Sequence, residues 1–411
     1  MTNRLARLAI DGGTPVRQHI LPYGHQTIGE EDFRAVLDAL GSDWLTTGPK
    51  VREFEQAFAR YADAGEAVVV NSGTAALHAA MHALGIGPGD DVIVPALTFV
   101  ASANCVLYQG ATPVFADVEP DTLLIDCADV AAKITARTRA IIAVDYAGQP
   151  CDYDALRAIA RRHGLGLVAD ACHSLGGSYK DRAVGTLADL SVFSLHPVKA
   201  MTTGEGGMVT TESFESAHQM RCFRNHGVTS NHFQRGQQGS WLYDMADLGF
   251  NYRLSDIQCA LGLNQLKRLS GWIERRRAVA RRYDDAFAAL LGVTPLALHS
   301  GRKHAYHLYV IRLNEDCLGA DRGRVFAALR AEGIGVNVHY LPVYLHSYYR
   351  ERFGTRPGLC PQAETAYEEI LSLPIYPGMS DEDTNDVIEA LWKVVTSYGI
   401  NTRTTAVTGT R

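Results

Sequence analysis

The sequence contains no apolar run long enough to cross a membrane and no pair of cysteines at metal-binding spacing. A membrane-spanning helix needs about 20 consecutive apolar residues. The most apolar segment, 92–107, is interrupted by Pro95, Thr98, Ser102 and Asn104. The eight cysteines are scattered, without any C-x-x-C pattern. These absences argue against a membrane protein, a metal site and a redox-active cysteine pair, and they favour reduced thiols in a cytoplasmic protein.

Positive charge is also too scarce for a nucleic-acid partner. The 411-residue chain carries 39 Lys and Arg against 45 Asp and Glu, a net charge of −6, whereas nucleic-acid-binding proteins normally have a basic excess. Arg4 and Arg7 are not followed by the apolar segment of about 7–15 residues that a signal peptide needs, so we expect no export. The 46% of hydrophobic residues is typical of a globular protein with a substantial core.

Short β-branched runs alternate with helix-like segments from about residue 66. The strand-like runs are 67–70, 92–94, 113–117, 140–144 and 167–170, with helix-like segments at 74–84, 101–108, 128–134 and 153–163. Strands this apolar are buried on both faces, which predicts an α/β fold with a mostly parallel sheet covered by helices. Ligands of such sheets bind beyond the carboxyl ends of the strands. The polar residues that follow each strand are therefore the candidates for function.

Beyond residue 194 the alternation stops. Ser255 can cap a helix that runs to about residue 290, and about 35 helical residues would be about 50 Å long, enough to bridge two domains. Strand-like segments at 305–313 and 336–340 and helix-like segments at 322–332 and 381–395 predict a smaller α+β C-terminal domain. We therefore divide the chain into an N-terminal extension (1–22), a large domain (23–270), a small domain (271–395) and a flexible tail (396–411).

Polar groups at the predicted strand ends suit one cofactor. Residues 72–74, Ser-Gly-Thr, join a strand to a helix and can bind an anion, although Ser and Thr there can equally be ordinary helix caps. Asp170 ends an apolar strand, Lys199 precedes a glycine-rich loop, and Phe99 follows another strand. Pyridoxal phosphate needs a lysine amine for its aldehyde, a carboxylate for its pyridine nitrogen, and a phosphate cradle. The sequence therefore predicts a pyridoxal phosphate site.

Several motifs occur together in the order found in one enzyme family. They lie at 43–49, 71–77, 94–99, 114–118, 170–176, 194–199, 203–207, 248–253 and 338–340. On these motifs the chain resembles the DegT/StrS-type family of pyridoxal phosphate-dependent sugar aminotransferases, of fold type I, from about residue 23 to 395. The resemblance implies a homodimer with shared active sites, a sugar substrate and an amino acid donor, with no metal.

The resemblance also implies roles for individual residues. Lys199 would be the Schiff-base lysine, Asp170 the partner of the pyridine nitrogen, Phe99 the residue stacked on the ring, and His173 a neighbour of the ring's 3-hydroxyl. The phosphate would be bound by Gly73, Thr74 and Ser194, and by Asn251 of the neighbouring subunit. The sugar side would be lined by Trp44, Thr46, Gly48, Arg253 and His339, of which Trp44 and His339 could equally be packing residues only.

Within the family, segments 145–150, 196–199 and 224–227 resemble the pseudaminic-acid branch. That branch implies transfer from glutamate to C4 of a UDP-linked 4-keto-6-deoxy-N-acetylhexosamine, and the substrate that we expect is UDP-4-keto-6-deoxy-N-acetylaltrosamine. Segment 8–16 instead resembles antibiotic-pathway members, which makes a ketocyclitol or another keto sugar the alternative. A non-catalytic pyridoxal phosphate-binding regulator is a further alternative. Lys199 argues against the related dehydratases, which carry histidine there, and the lack of G-x-G-x-x-G after the first strand argues against a nucleotide-dependent oxidoreductase.

Overall fold

The computed structural model describes residues 7–230, 235 and 239–399. The first six residues of the predicted extension and residues 400–411 of the predicted tail lie outside the described residues. Thr396, where that tail was predicted to begin, is still helical. In the described part of the chain, no helix combines the length and the apolar composition that crossing a membrane requires.

A seven-stranded sheet forms the centre of the predicted large domain. In chain order the strands of this part are β1 (Glu66–Val70), β2 (Asp91–Pro95), β3 (Thr112–Ala116), β4 (Thr138–Val144), β5 (Gly166–Asp170), β6 (Ser178–Tyr179), β7 (Arg182–Ala183), β8 (Leu190–Ser194) and β9 (Gly207–Thr211). The sheet order is β1-β9-β8-β5-β4-β2-β3, and only β9 runs antiparallel to its neighbours. The prediction of a mostly parallel sheet is confirmed, but β9 was missed.

Helices cover the sheet. They are α1 (Glu30–Leu40), α2 (Pro49–Tyr61), α3 (Gly73–Ala83), α4 (Ala101–Tyr108), α5 (Cys127–Ala132), α6 (Tyr153–His163) and α7 (Phe214–Phe223). All five residues of β2 are buried, as expected of a strand with both faces covered. Local sequence sets the helix starts: Pro49 occupies the first turn of α2, and the Ser72 side chain accepts a hydrogen bond from the backbone of Ala75 at the start of α3,.

One long helix, α8 (Asp256–Phe287), connects two hydrophobic cores. Ser255 and Gln258 form a capping box at its start,, and its 32 residues span about 48 Å. Leu269 and Ile273 pack in the core of the large sheet, whereas Val279 and Tyr283 pack in a second core. The predicted bridging helix is confirmed. The domain boundary at residue 270 stays a prediction, and the packing of the helix changes between residues 273 and 279.

The second core lies under a small antiparallel sheet. The remaining elements are β10 (Val293–Pro295), β11 (Arg302–Lys303), β12 (Tyr309–Leu313), α9 (Glu315–Leu318), α10 (Arg322–Ala331), α11 (Ser347–Phe353), α12 (Pro361–Glu369), β13 (Ile370–Leu373) and α13 (Asp381–Tyr398). The strand order is β10-β12-β13, and β11 pairs with β6.

Two predicted strands need correction. Residues 305–308 form a turn before β12, and 336–340 contribute only one bridge, Asn337 to Ser372, because this segment forms a cavity wall.

The described part of the N-terminal extension packs against the predicted small domain. Leu8 and Leu21 are buried in the second core. Buried Glu332 accepts hydrogen bonds from the backbone of Ala9 and Val16 and pairs with Lys393 at 2.7 Å. Segment 8–16 is therefore anchored to the second core.

Candidate active site

A cavity of about 430 Å³ opens where the parallel strands end. Asp170 is the last residue of β5 and Ser194 the last of β8, so both side chains lie at the sheet edge where ligands of this architecture bind. Eight of the predicted site residues line this one cavity: Gly73, Thr74, Phe99, Asp170, His173, Ser194, Lys199 and His339. Residues separated by more than 260 positions in sequence are thus brought around a single space.

The amino terminus of α3 forms one end of the cavity. Ser72, Gly73 and Thr74 line it, so the free backbone N–H groups of the first turn and the positive end of the helix dipole face the space. A methyl group on Gly73 would lie 2.9 Å from Cβ of Ser194, which is closer than side-chain carbons approach. Glycine therefore allows the helix terminus and the end of β8 to converge on one anion.

Asp170 is oriented by neutral donors. Ser102 donates a 2.7 Å hydrogen bond to Oδ2 of Asp170, and the backbone N–H of Cys172 lies 3.3 Å from Oδ1. Thr98 Oγ1 lies 2.8 Å from Ser102 Oγ. Thr98 and Ser102 are not among the predicted site residues, although both follow β2 in the same segment as Phe99. Among the described residues the carboxylate has no ion pair within salt-bridge distance, so its charge is available to a cationic group in the cavity.

The amine of Lys199 lies 3.4 Å from Nε2 of His307. Burial lowers the pKa of Lys199, while the nearby Cys172 and Asp170 oppose that shift,. A buried lysine whose pKa is lowered is neutral more often than a surface lysine, and only a neutral amine attacks a carbonyl or accepts a proton. His307 was not among the predicted site residues.

Neutral imidazoles surround the amine. Burial and the adjacent Lys199 lower the pKa of His173 and of His307 well below the usual range, and lower that of His339 to about 4. Nε2 of His173 lies 3.3 Å from the Tyr340 hydroxyl. Nδ1 of His173 and of His307 are buried without a hydrogen-bond partner among the described residues. Burying a nitrogen without a hydrogen-bond partner costs free energy. These two nitrogens therefore indicate that a polar group of a ligand binds next to them.

The arrangement fits pyridoxal phosphate. An amine is available for the aldehyde, a hydrogen-bonded carboxylate for the ring nitrogen, a helix terminus with hydroxyls for the phosphate, and an unpaired histidine nitrogen for a further ring substituent. Phe99 is 55% exposed, and its side chain lies on the cavity wall, where a flat ring could stack on it.

The other five predicted residues do not reach this cavity within one chain. Thr46 and Arg253 line a second cavity of about 440 Å³. Trp44 and Gly48 pack at the start of α8, where the Gly48 N–H donates to Oδ2 of Asp256 at 2.7 Å. Exposed Asn251 forms a bridge with Asn225. The chain therefore brings together seven of the eight predicted cofactor-binding residues, all except Asn251, and places four of the five predicted substrate-side residues elsewhere.

Comparisons with known proteins agree with this geometry. The DegT/DnrJ/EryC1/StrS aminotransferase family model matches residues 26–392. The spore coat polysaccharide biosynthesis protein SpsC of Bacillus subtilis is 44% identical over 381 residues, which cover 92% of this chain and 98% of that protein.

Two solved structures also superimpose over most of the chain. A putative sugar aminotransferase from Streptococcus pneumoniae, solved in its PMP and PLP forms, has a TM-score of 0.87 and, in the PMP form, 34% identity. Helicobacter pylori PseC, an aminotransferase involved in the biosynthesis of pseudoaminic acid, has a TM-score of 0.86 and 32% identity. Each alignment covers 92% of this chain and 100% of the solved chain.

Proposed function

The chain belongs to the DegT/DnrJ/EryC1/StrS aminotransferase family and is a pyridoxal phosphate-dependent sugar aminotransferase of fold type I, and on that basis we propose its reaction. It transfers an amino group from glutamate to C4 of a nucleotide-linked 4-keto-6-deoxy sugar, UDP-4-keto-6-deoxy-N-acetylaltrosamine. The observation that carries the proposal is the convergence of a buried lysine amine, an oriented carboxylate and a helix terminus on one cavity.

Lys199 is the residue that we assign to cofactor attachment and proton transfer. Pyridoxal phosphate, when bound, supplies an electron sink for the negative charge that develops as the amino donor loses its Cα proton. Lys199 Nζ accepts that proton as a neutral amine and holds it until it is returned. The burial that lowers the pKa of Lys199 supports this role because it raises the unprotonated fraction of the amine at any given pH.

Asp170 and the helix terminus have binding roles in this proposal. The Asp170 carboxylate, held by Ser102, keeps a proton on the ring nitrogen through its negative charge. Gly73, Thr74 and Ser194 would hold the phosphate with N–H and O–H donors, which suits a doubly charged group at a helix terminus. Phe99 would pack against the ring and exclude water from that face.

We further propose a homodimer whose partner completes each site. A group of large apolar side chains close to Asn251 and Arg253 in sequence is exposed: Trp241, Leu242, Tyr243, Met245 and Leu248. Exposed apolar patches of this kind mark association surfaces. In this arrangement Asn251 contributes to the phosphate site of the neighbouring subunit. The substrate side of that same site is lined by four further residues of this chain, Trp44, Thr46, Gly48 and Arg253, and by His339 of the partner subunit.

Arg253 supports a nucleotide-linked substrate. It donates a 2.7 Å hydrogen bond to Oδ1 of Asn225 but has no ion pair within the described residues. A guanidinium without a carboxylate partner is available for a diphosphate, which its planar fork binds through two oxygens. A ketocyclitol or a free keto sugar has no phosphate and would gain little from it, so this second candidate rests only on the resemblance of segment 8–16 to antibiotic-pathway enzymes.

Turnover with defined substrates tests the proposal. The purified protein, loaded with pyridoxal phosphate, should convert glutamate and the UDP-linked 4-keto sugar into 2-oxoglutarate and a 4-amino sugar, identified by mass spectrometry and proton NMR. Efficient turnover of a ketocyclitol instead, with no inhibition by UDP, would support the alternative substrate. Amino transfer to neither substrate, with cofactor bound, would contradict both substrate assignments.

Chemical trapping tests the assignment of Lys199 independently. Borohydride reduction of the loaded protein should fix the cofactor on the peptide that contains Lys199, and Lys199→Ala should abolish both trapping and amino transfer. Cofactor fixed on another lysine in the unaltered protein would contradict the assignment.

A further inference from the structure

His307 contacts Lys199 directly from the segment that precedes β12. Its Nε2 lies 3.4 Å from Lys199 Nζ, and its ring lies against that of His173, with centroids 4.4 Å apart. The side chain is 7% exposed. Its other nitrogen, Nδ1, has no partner among the described residues. The lysine is therefore the principal polar contact of this imidazole.

The backbone around His307 is held in an unusual conformation. Tyr306 has φ 51°, in the left-handed region that non-glycine residues seldom adopt,. The buried guanidinium of Arg276 stabilises this turn: its Nη1 donates to the carbonyls of Tyr306 at 3.1 Å, His307 at 3.4 Å and Ile375 at 2.7 Å. A strained backbone persists only where surrounding contacts enforce it.

A second turn with positive φ clamps the same segment. Ala147 has φ 57° and Gly148 has φ 115°. Their carbonyls accept hydrogen bonds from the N–H groups of Leu308 at 3.1 Å and Ala305 at 2.9 Å. The imidazole of His307 is thus presented to the lysine from a turn fixed on both sides, which gives its ring little freedom to move away.

The groups that face the lysine explain why an imidazole suits this position. Asp170, Cys172, His173 and His339 also lie near the amine. A second carboxylate there would hold Lys199 as an ammonium ion. A neutral imidazole can donate or accept a hydrogen bond according to its tautomer, so it can hold the amine in either protonation state.

We propose that His307 is a positioning residue that holds the free Lys199 amine pointing into the cavity, where it attaches pyridoxal phosphate and exchanges a proton with the amino donor. The inference rests on the proposed function for the role of Lys199. It assigns to His307 no contact with substrate and no proton transfer of its own.

The test separates attachment of the lysine from binding of the cofactor. Pyridoxal phosphate attaches to Lys199, whereas pyridoxamine phosphate has no aldehyde and binds without attachment. In His307→Leu, we expect the rate of borohydride-trapped attachment to fall about tenfold, the effect of one hydrogen bond of ordinary strength. The affinity for pyridoxamine phosphate, measured by titration calorimetry, should stay within about threefold of the unaltered protein.

Three further variants control for damage to the turn. His304→Leu removes another buried histidine, which accepts a hydrogen bond from the N–H of Tyr306 and does not contact Lys199. It should attach the cofactor at the normal rate. His307→Gln places an amide about where Nε2 lies and should restore most of the rate, whereas the shorter side chain of His307→Asn should not. If His307→Leu fails to fold, the Gln and Asn pair decides.

The outcomes are distinct. Normal attachment in His307→Leu, equal loss of both cofactor forms, equal slowing in His304→Leu, or no difference between Gln and Asn would each overturn the positioning role. Cofactor trapped on a lysine other than Lys199 in the unaltered protein would overturn the proposed function first.

Discussion

Ser102 donates a 2.7 Å hydrogen bond to Oδ2 of Asp170, and Ser102 itself is completely buried. This contact joins the start of α4 to the end of β5. It fixes the direction of the carboxylate without neutralising its charge, because a hydroxyl is a neutral donor. The relationship is useful because it allows the charge of Asp170 and its orientation to be tested separately.

Asp170→Asn should retain the cofactor but lose about a thousandfold or more in the rate of the glutamate half-reaction, because about 4 kcal/mol of barrier is a thousandfold in rate. Ser102→Ala keeps the charge and should lose about tenfold, as expected for one hydrogen bond. The decay of cofactor absorbance in stopped flow measures both rates. Ser191→Ala is the matched control for Ser102→Ala and should keep the normal rate, since Ser191 Oγ is buried with no partner in the described structure. Near-normal turnover of Asp170→Asn would contradict the role assigned to Asp170.

Gly73→Ala should weaken cofactor binding by about tenfold or more, because the new methyl group forces Ser194 and the start of α3 apart and disrupts donors to the phosphate,. Titration with pyridoxamine phosphate measures the affinity. Gly271→Ala is the control, since nothing lies within 4 Å of its new methyl group. This variant should keep the affinity for pyridoxamine phosphate. Its free energy of unfolding should rise by about 1 kcal/mol, because alanine is favoured over glycine inside a helix. Equal affinities for all three proteins would show that the close approach at Gly73 is not needed for binding.

Arg253→Ala should raise KM for the UDP-linked sugar much more than it alters the glutamate half-reaction, which involves no nucleotide. Loss of a charged hydrogen bond worth about 2–3 kcal/mol corresponds to roughly a thirty- to hundredfold fall in kcat/KM. UDP should compete with the keto sugar in the unaltered enzyme and compete poorly in the variant. Steady-state kinetics with both substrates provide the measurement, and unchanged inhibition by UDP in Arg253→Ala would place the diphosphate elsewhere.

Mixing an inactive variant with an impaired one should restore activity if the sites are shared between subunits. Lys199→Ala removes the amine from its own site, whereas Asn251→Ala impairs the site of its partner. A heterodimer then contains one intact site and one site with both defects, so exchange of subunits should recover up to about half the activity per heterodimer. Native mass spectrometry verifies that heterodimers form. Heterodimers without recovered activity would place Asn251 in the site of its own chain.

His78 should make stability depend on pH independently of the active site. Burial, together with the nearby His82, lowers its pKa from 6.5 to about 4. The unfolded chain therefore binds more protons than the folded one between these values, and stability is lost as pH falls from about 6.5 to 4, by about 3 kcal/mol. His78→Phe should show a fall in unfolding free energy between pH 7 and pH 4 that is smaller by about this amount in urea titrations. Identical pH dependence in both proteins would contradict the shift.

The sequence by itself determined much of the scaffold, and it predicted residues that line one cavity in the structure. The apolar runs at β2 and β5 predict buried strands, and both strands are buried in the structure apart from the half-buried Gly166. The capping box of Ser255 and Gln258 specifies the start of α8 from local sequence alone,. The strand-end residues Gly73 and Asp170 could be assigned because parallel strands deliver their carboxyl ends to one edge.

Only the tertiary structure decided the remaining features. The direction of β9 depends on the strands between which it inserts, and no local pattern encodes it. Segment 336–340 has the composition of a strand, yet it makes only one bridge, because it forms a wall of the cavity. Ser102 and His307 meet Asp170 and Lys199 across 68 and 108 positions of sequence. Such contacts follow from how the layers and domains pack, which short-range sequence patterns do not specify.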